Sequence, residues 1–552
     1  MTYLKMKARK VELQLARIVV IVISTLLLAS TGKAATPGIT AAAGGASRFN
    51  LTAAANYISQ PDGMQIYSWG YGCAGAATYA PATFASVGFC PTMQIPGPTL
   101  IVTEGQTVTV TLTNNLPGRA NASIVFPGFN VSATGGAAGL QTREALPGGS
   151  VTYTFQATTP GTRAYYSGTQ PDFQIEMGLY GAVVVLPSSA PGTGTGQCAS
   201  LGSDVAQVRL GAGNTGHDLR LASAAYNHPE TCYDREYLFQ FMELDPRIHR
   251  QAEEQALAMV TCPPGGTNTT TGDPCPMALN VVTEPYRPAY YLINGRAMPD
   301  DMDADYAPNY THQPYNGNPH MHPGDLVLVR IVGQGRWAHP FHEHGNHVRL
   351  LARDGNLILS QNVGTTGRAD LAGRMEFTTD TYPGQAMDGI FYWSGKGLGW
   401  DIYGHTPAFA GANVPCNPNT SGPNAGFDTS STAIANGNYF EWCADHHHPL
   451  EQNPVGQIAS GGPVAQFDST IATNGLWYAG TPYLGENATT RNKGATPLAP
   501  GKASQNPLQE SGIAFMWHSH NEREITTNDI FPGGMLMMML VDPPDFFIDE
   551  TL

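Results

Sequence analysis

From Glu104 the chain falls into a two-residue rhythm. Thr107-Val108-Thr109-Val110-Thr111-Leu112 alternates threonine with valine or leucine, which predicts a strand with one face buried and one wet. Asn114-Asn115-Leu116-Pro117-Gly118 then breaks the pattern as a turn. Val151–Phe155, Ala182–Leu186 and Glu236–Phe241 predict further strands. The run His322-Pro323-Gly324-Asp325 followed by Leu326–Val332 repeats the layout of Glu104-Gly105-Gln106 and its strand, a weak internal duplication. Two β-sandwich domains follow, at residues 36–190 and 205–548, with a Pro/Gly/Ser/Thr-rich linker over 191–204. Residues 36–90, rich in Ala, Gly and Ser, give few strand signals. Residues 400–510 are long and rich in Gly, Asn, Pro and Thr, and predict a disulfide-pinned insertion over one end of the second domain. Only Gln251–Met259 has a helical pattern.

Composition agrees with this reading. Charged residues make up 13% of the chain against 63 glycines and 42 prolines, which suits strands and turns better than helices. Residues 1–35 have the layout of a cleavable secretory signal: a basic start, a short apolar run from Ile18 to Ser30, then small residues. Removing them takes away six basic residues and Glu12, so the formal charge goes from −15 to −20. Such a surface repels nucleic acid and anionic membranes, and neither is expected as a partner. The expected location is the medium, the periplasm or the cell surface. All eight cysteines lie beyond the signal, and an even count in an exported chain favours disulfides. Cys73/Cys90, Cys262/Cys275 and Cys416/Cys443 are close enough in sequence to pair, which leaves Cys198 and Cys232.

The chemistry concentrates in two histidine clusters, His339-Pro340-Phe341-His342-Glu343-His344 and His518-Ser519-His520. On a strand, His342/His344 and His518/His520 each share one face. Neighbouring strands would then bring four neutral nitrogen donors to one metal. The alternative is a set of buried, hydrogen-bonded relics. His339 is either a ligand or a strand-end residue bonded to a carbonyl. His320 and His322 suggest a second, exposed site or a solvated loop. His446-His447-His448 cannot all face one ion from a regular strand, which favours a surface or packing role. Glu522 and Glu524 are candidates to orient an imidazole, ligate the metal or act as a general base; the bland reading is a solvated acidic loop.

Ile95-Pro96-Gly97-Pro98-Thr99, Gly178–Ala182, Asn294–Asp300 and His339–His342 resemble signatures of the multicopper oxidases. The resemblance implies an all-β chain of tandem cupredoxin-like Greek-key β-sandwiches with long loop insertions, in the two-domain branch, with copper as cofactor and zinc as an alternative. It also implies four ligand loops. Val125-Phe126-Pro127-Gly128 stands where the family has His-Trp-His-Gly, and Tyr165-Tyr166-Ser167-Gly168 where it has Tyr-His-Ser-His, so four ligands are missing. By the same comparison His339 corresponds to a blue-copper ligand, and His342, His344, His518 and His520 to trinuclear-cluster ligands. His344 and His518 would serve the same ion. Ser519 replaces the blue-copper cysteine, Glu524 replaces a histidine, and Met535 corresponds to the axial methionine. A hydroxyl cannot supply the thiolate of a blue site, so one metal on the four histidines is expected and no blue copper.

Three functions stay open: a divergent copper oxidoreductase acting on a small electron donor or metal ion, a non-catalytic copper-binding or scaffold protein, and a mononuclear metal enzyme with Glu522 or Glu524 as base. A homo-oligomer in which a neighbouring chain donates ligands is compatible with all three.

Overall fold

The computed structural model describes residues 36–40, 47–188, 220–396 (save 261, 263, 269–271 and 364–368), 401, 413–447 (save 423, 437 and 439), 480–484 and 511–541. The signal and linker assignments fall outside these residues, as does most of the 400–510 insertion.

Fifteen strands carry the architecture: β1 (Ser47–Ser59), β2 (Gln65–Cys73), β3 (Leu100–Thr103), β4 (Thr107–Asn114), β5 (Ser150–Gln156), β6 (Gly161–Tyr166), β7 (Tyr180–Leu186), β8 (Arg235–Leu244), β9 (Leu326–Gly333), β10 (His339–Glu343), β11 (Val348–Arg353), β12 (Thr378–Thr381), β13 (Ala386–Tyr392), β14 (Ser511–Ser519) and β15 (Leu536–Val541). In the first half, β6-β7-β3 form one sheet with two short edge strands, and β2-β1-β4-β5 with Ser132–Gly135 form the other. Leu100, Val102 and Val183 of one sheet share a core with Leu51, Val110 and Tyr153 of the other, so the two pack face to face. In the second half, β8-β9-β13-β11 with short flanking strands face β15-β14-β10-β12. Phe239, Val329 and Ile331 meet Phe341, Trp517 and Met537 between them. The described residues thus form two all-β sandwiches, each of two facing sheets.

The alternation read from Thr107 onward is realised in β4, whose valines and leucine are buried while the threonines between them are partly or fully exposed. The expected helix runs over Pro246–Val260, a turn longer at its start, and buries Ile248 and Ala252 against the first core. The expectation of few strands in residues 36–90 is overturned: β1 has 13 residues and β2 has 9. Phe49, Leu51 and Ala53 alternate inward, but the run Ala53-Ala54-Ala55 that follows has no hydrophobic contrast between its faces, and the pattern is lost there. Gly70 and Gly72 look like strand breakers and are strand residues because backbone crosses there. A Cβ at Gly72 would stand 2.1 Å from the Pro91 carbonyl oxygen, and one at Gly70 2.3 Å from that of Gln94.

Cys73–Cys90, Cys262–Cys275 and Cys416–Cys443 are bonded. Cys232 is also in a disulfide. No helix among the described residues is long and apolar enough to cross a membrane.

Candidate metal centre

Strands β10 and β14 pair antiparallel, with His342 opposite His518 and Phe341 opposite Ser519. Side-chain alternation sends Phe341 and Trp517 into the second core and turns His342 and His518 to the other face. His344 and His520, just beyond the strand ends, continue on that face. The four rings converge. His344 Nε2 and His518 Nε2 are 3.2 Å apart. Ring centroids of His342 lie 4.9 Å from His344, 5.6 Å from His518 and 4.8 Å from His520. His342, His344 and His518 are buried, whereas His520 is half exposed.

The surroundings fix the ring orientations. His518 Nδ1 donates to the Ser519 carbonyl at 2.7 Å, so in the neutral ring the lone pair sits on Nε2 and points at His344. The Trp517 indole donates to the His344 carbonyl at 2.9 Å. Thr378 Oγ1 lies 2.5 Å from His342 Nδ1. His520 Nδ1 is 3.1 Å from the exposed Glu522 carboxylate. Burial pushes His342 down to about 4, helped by repulsion from His518 and His520. Burial also lowers His518, outweighing its bond to the Ser519 carbonyl. Neutral imidazoles are the ligand form. Two imidazole nitrogens about 2 Å from a common ion stand roughly 3 Å apart, the separation of His344 and His518. The donor set fits a copper ion.

The positions expected from the resemblance to hold blue copper also come together, joined by hydrogen bonds. Buried His339 has its Nδ1 2.8 Å from Glu524 Oε2 and its Nε2 3.1 Å from Glu243 Oε2. Burial works to lower its pKa, but the two carboxylates outweigh that and raise it to about 9. Both ring nitrogens are donors near neutral pH in this arrangement. His339, expected as a metal ligand, is here hydrogen-bonded through both ring nitrogens to Glu524 and Glu243. Ser519 Oγ donates to Glu524 Oε2 at 2.5 Å and the Asn521 amide to Oε1 at 2.8 Å. Glu524 is thus buried and committed to these three groups, not turned to the histidine cluster as a free base. Met535 belongs to the hydrophobic core, and its amide donates to the Glu524 carbonyl. Glu243, on β8 in an apolar run, was missed in the sequence. Only its charge within Phe241-Met242-Glu243-Leu244 hinted at a buried partner.

The remaining candidates separate. His320 and His322 are buried at 6% and 1% exposure, which overturns the exposed-site and solvated-loop readings. The Tyr237 hydroxyl donates to the His320 carbonyl, and the Arg235 guanidinium donates to His322 Nδ1. His347 packs edge-on against Phe377. Tyr165 is a buried core residue whose hydroxyl donates to the Pro98 carbonyl. Tyr166 lies at the junction of the sandwiches, beside Val332 and Ala386. His446 and His447 belong to a disulfide-bonded ribbon, and His448 lies outside the described residues.

Residues 87–190 match the multicopper oxidase family model. The chain is 38% identical over 97 residues to Laccase abr2 of Aspergillus fumigatus, a match covering 17% of this chain and 16% of the laccase. It is 35% identical over 97 residues to Laccase 1 of Metarhizium acridum, covering 17% and 15%. Among solved structures it is similar to the multicopper oxidase mgLAC, at 13% identity and TM-score 0.41 over 90% of this chain and 85% of that one. A blue copper oxidase from Nitrosomonas europaea gives 13% and 0.41 over 89% and 85%. The family match lies in the first sandwich, while the converging histidines lie in the second. Residues 87–190 are thus similar to multicopper oxidases in sequence, and the chain spans about a sixth of the length of the laccases it matches.

Proposed function

We propose that this chain is an exported, divergent copper-dependent oxidoreductase holding one copper on His342, His344, His518 and His520, without a blue-copper relay. The observation that carries this is the convergence of four imidazoles with His344 and His518 Nε2 3.2 Å apart. When bound, copper supplies one-electron exchange with a small donor or metal ion. The chain's own residues set the conditions. The Ser519 carbonyl holds the His518 tautomer, and Trp517 fixes the loop at His344. The buried rings keep water from three of the four ligand positions. Half-exposed His520, with Glu522 able to hold the proton on its Nδ1, is where a substrate reaches the cluster.

Copper loading followed by dialysis should leave about one tightly held ion per chain, with nitrogen couplings in electron paramagnetic resonance. A His344→Ala/His518→Ala variant should lose that ion. Unchanged copper retention in the double variant would overturn the assignment. Retention of copper without electron transfer to any small donor would favour a storage or scaffold role.

A further inference from the structure

The ribbon at residues 413–447 carries a second group of metal-competent side chains that the histidine cluster does not use. Phe427–Asp428 pairs with Glu441–Trp442, and Cys416–Cys443 staples the ends. Around this disulfide, donor atoms of Cys416, Asp428 and Cys443 lie within 4.8 Å of one another, as do those of Cys416, Glu441 and His446. Glu441 and Asp428 are buried at 2% and 0% exposure. Their fixing is internal to the ribbon: Asn438 donates to Glu441 at 2.7 Å and the Asn417 amide to Asp428 at 2.6 Å. His446 Nδ1 stands 2.6 Å from Glu441 and 3.7 Å from Asp401, and its Nε2 donates to the Val414 carbonyl at 2.8 Å. That outer bond orients the ring as metal-ligating histidines are oriented, leaving Nδ1 turned inward. Cys443 and His446 have the short spacing of zinc-binding pairs.

We propose that this ribbon has two alternative staples: the Cys416–Cys443 disulfide when oxidised, and a tetrahedral zinc site on Cys416, Cys443, His446 and Glu441 when reduced. The chemistry balances with a dithiol reductant. Its two thiols pass two electrons and two protons to the disulfide and close to a disulfide of their own, leaving two cysteine thiols. Zn²⁺ then displaces both thiol protons and the proton shared by His446 and Glu441. A disulfide sulfur is a poor ligand and a thiolate a good one, so oxidation releases the ion.

The test uses the full chain, reduced by a phosphine, which takes an oxygen from water as the disulfide opens. Co²⁺ then serves as the optical stand-in for Zn²⁺. The expected result is about one equivalent of Co²⁺ giving thiolate charge-transfer and tetrahedral ligand-field bands that excess Zn²⁺ discharges. The oxidised chain should give no thiolate band. Cys416→Ser/Cys443→Ser should abolish the bands, and His342→Ala/His344→Ala should retain them. His446→Gln keeps the disulfide and the fold, and should weaken Co²⁺ binding ~10-fold or more, since loss of even an outer partner of a ligand costs about 10–100-fold. Bands that survive in Cys416→Ser/Cys443→Ser, affinity unchanged in His446→Gln, or no band in a reduced chain whose thiols at 416 and 443 have been counted would each overturn the proposal.

Discussion

At the scale of single residues, Ser519, Glu524 and His339 form one buried hydrogen-bonded chain. The Ser519 hydroxyl donates to the Glu524 carboxylate, which in turn accepts from the His339 imidazolium. Restoring the sulfur alone is therefore not enough. Copper-loaded Ser519→Cys should still lack the intense visible thiolate–copper absorption, because His339 remains bonded to Glu243 and Glu524; a blue Ser519→Cys sample would show that those bonds yield to the ion. The same network makes a pH prediction. His339 loses its proton near its ordinary 6.5 in the unfolded chain and near about 9 in the folded one. Its contribution, of order 3 kcal/mol, is present in full below about 6.5 and is lost as pH rises through about 9. Chemical unfolding of His339→Gln across that window should be flatter than that of the native chain, and parallel curves would refute the assignment.

At the scale of elements, a strand's two faces divide the work. The inward face of β10 and β14 puts Phe341 and Trp517 into the core, and the outward face holds the imidazoles in register. The register is what places His342 opposite His518, and a one-residue slip would turn the imidazoles into the core. In the first sandwich the crossing at Gly72 is equally strict. Gly72→Ala must push back the Pro91 backbone and should destabilise by roughly 1–3 kcal/mol, the range for overpacking, seen as a lowered unfolding midpoint. An unshifted midpoint would mean the Pro91 segment moves freely. Sequence periodicity revealed β4 but not β1 or β2, because alanine and glycine pack inside a strand without announcing its inward face.

At the scale of the molecule, the two sandwiches are joined by a buried ionic knot. Arg330 on β9 is paired with Glu236 at 3.0 Å and with Asp388 at 3.4 Å. Asp388 in turn accepts from the Thr162 hydroxyl of the first sandwich at 2.6 Å and from the Tyr226 hydroxyl. Asp388→Ala leaves a buried guanidinium with half its compensation. It should cost about 3–5 kcal/mol, with the junction opening before either core does. Hydrogen exchange that rises first at Thr162 and Arg330 would support this, and uniform protection would count against it.

The sequence alone pointed to an all-β chain, to paired cysteines and to imidazoles sharing strand faces. Each is a local property of side-chain type and spacing, set by the two-residue period of extended backbone. The tertiary structure decided which histidines meet. His342 and His518 are 176 positions apart, and only strand pairing brings them together. His339, three residues from His342, points instead at Glu243 on β8 and becomes a cation, because a distant carboxylate in the same low-dielectric interior holds its proton.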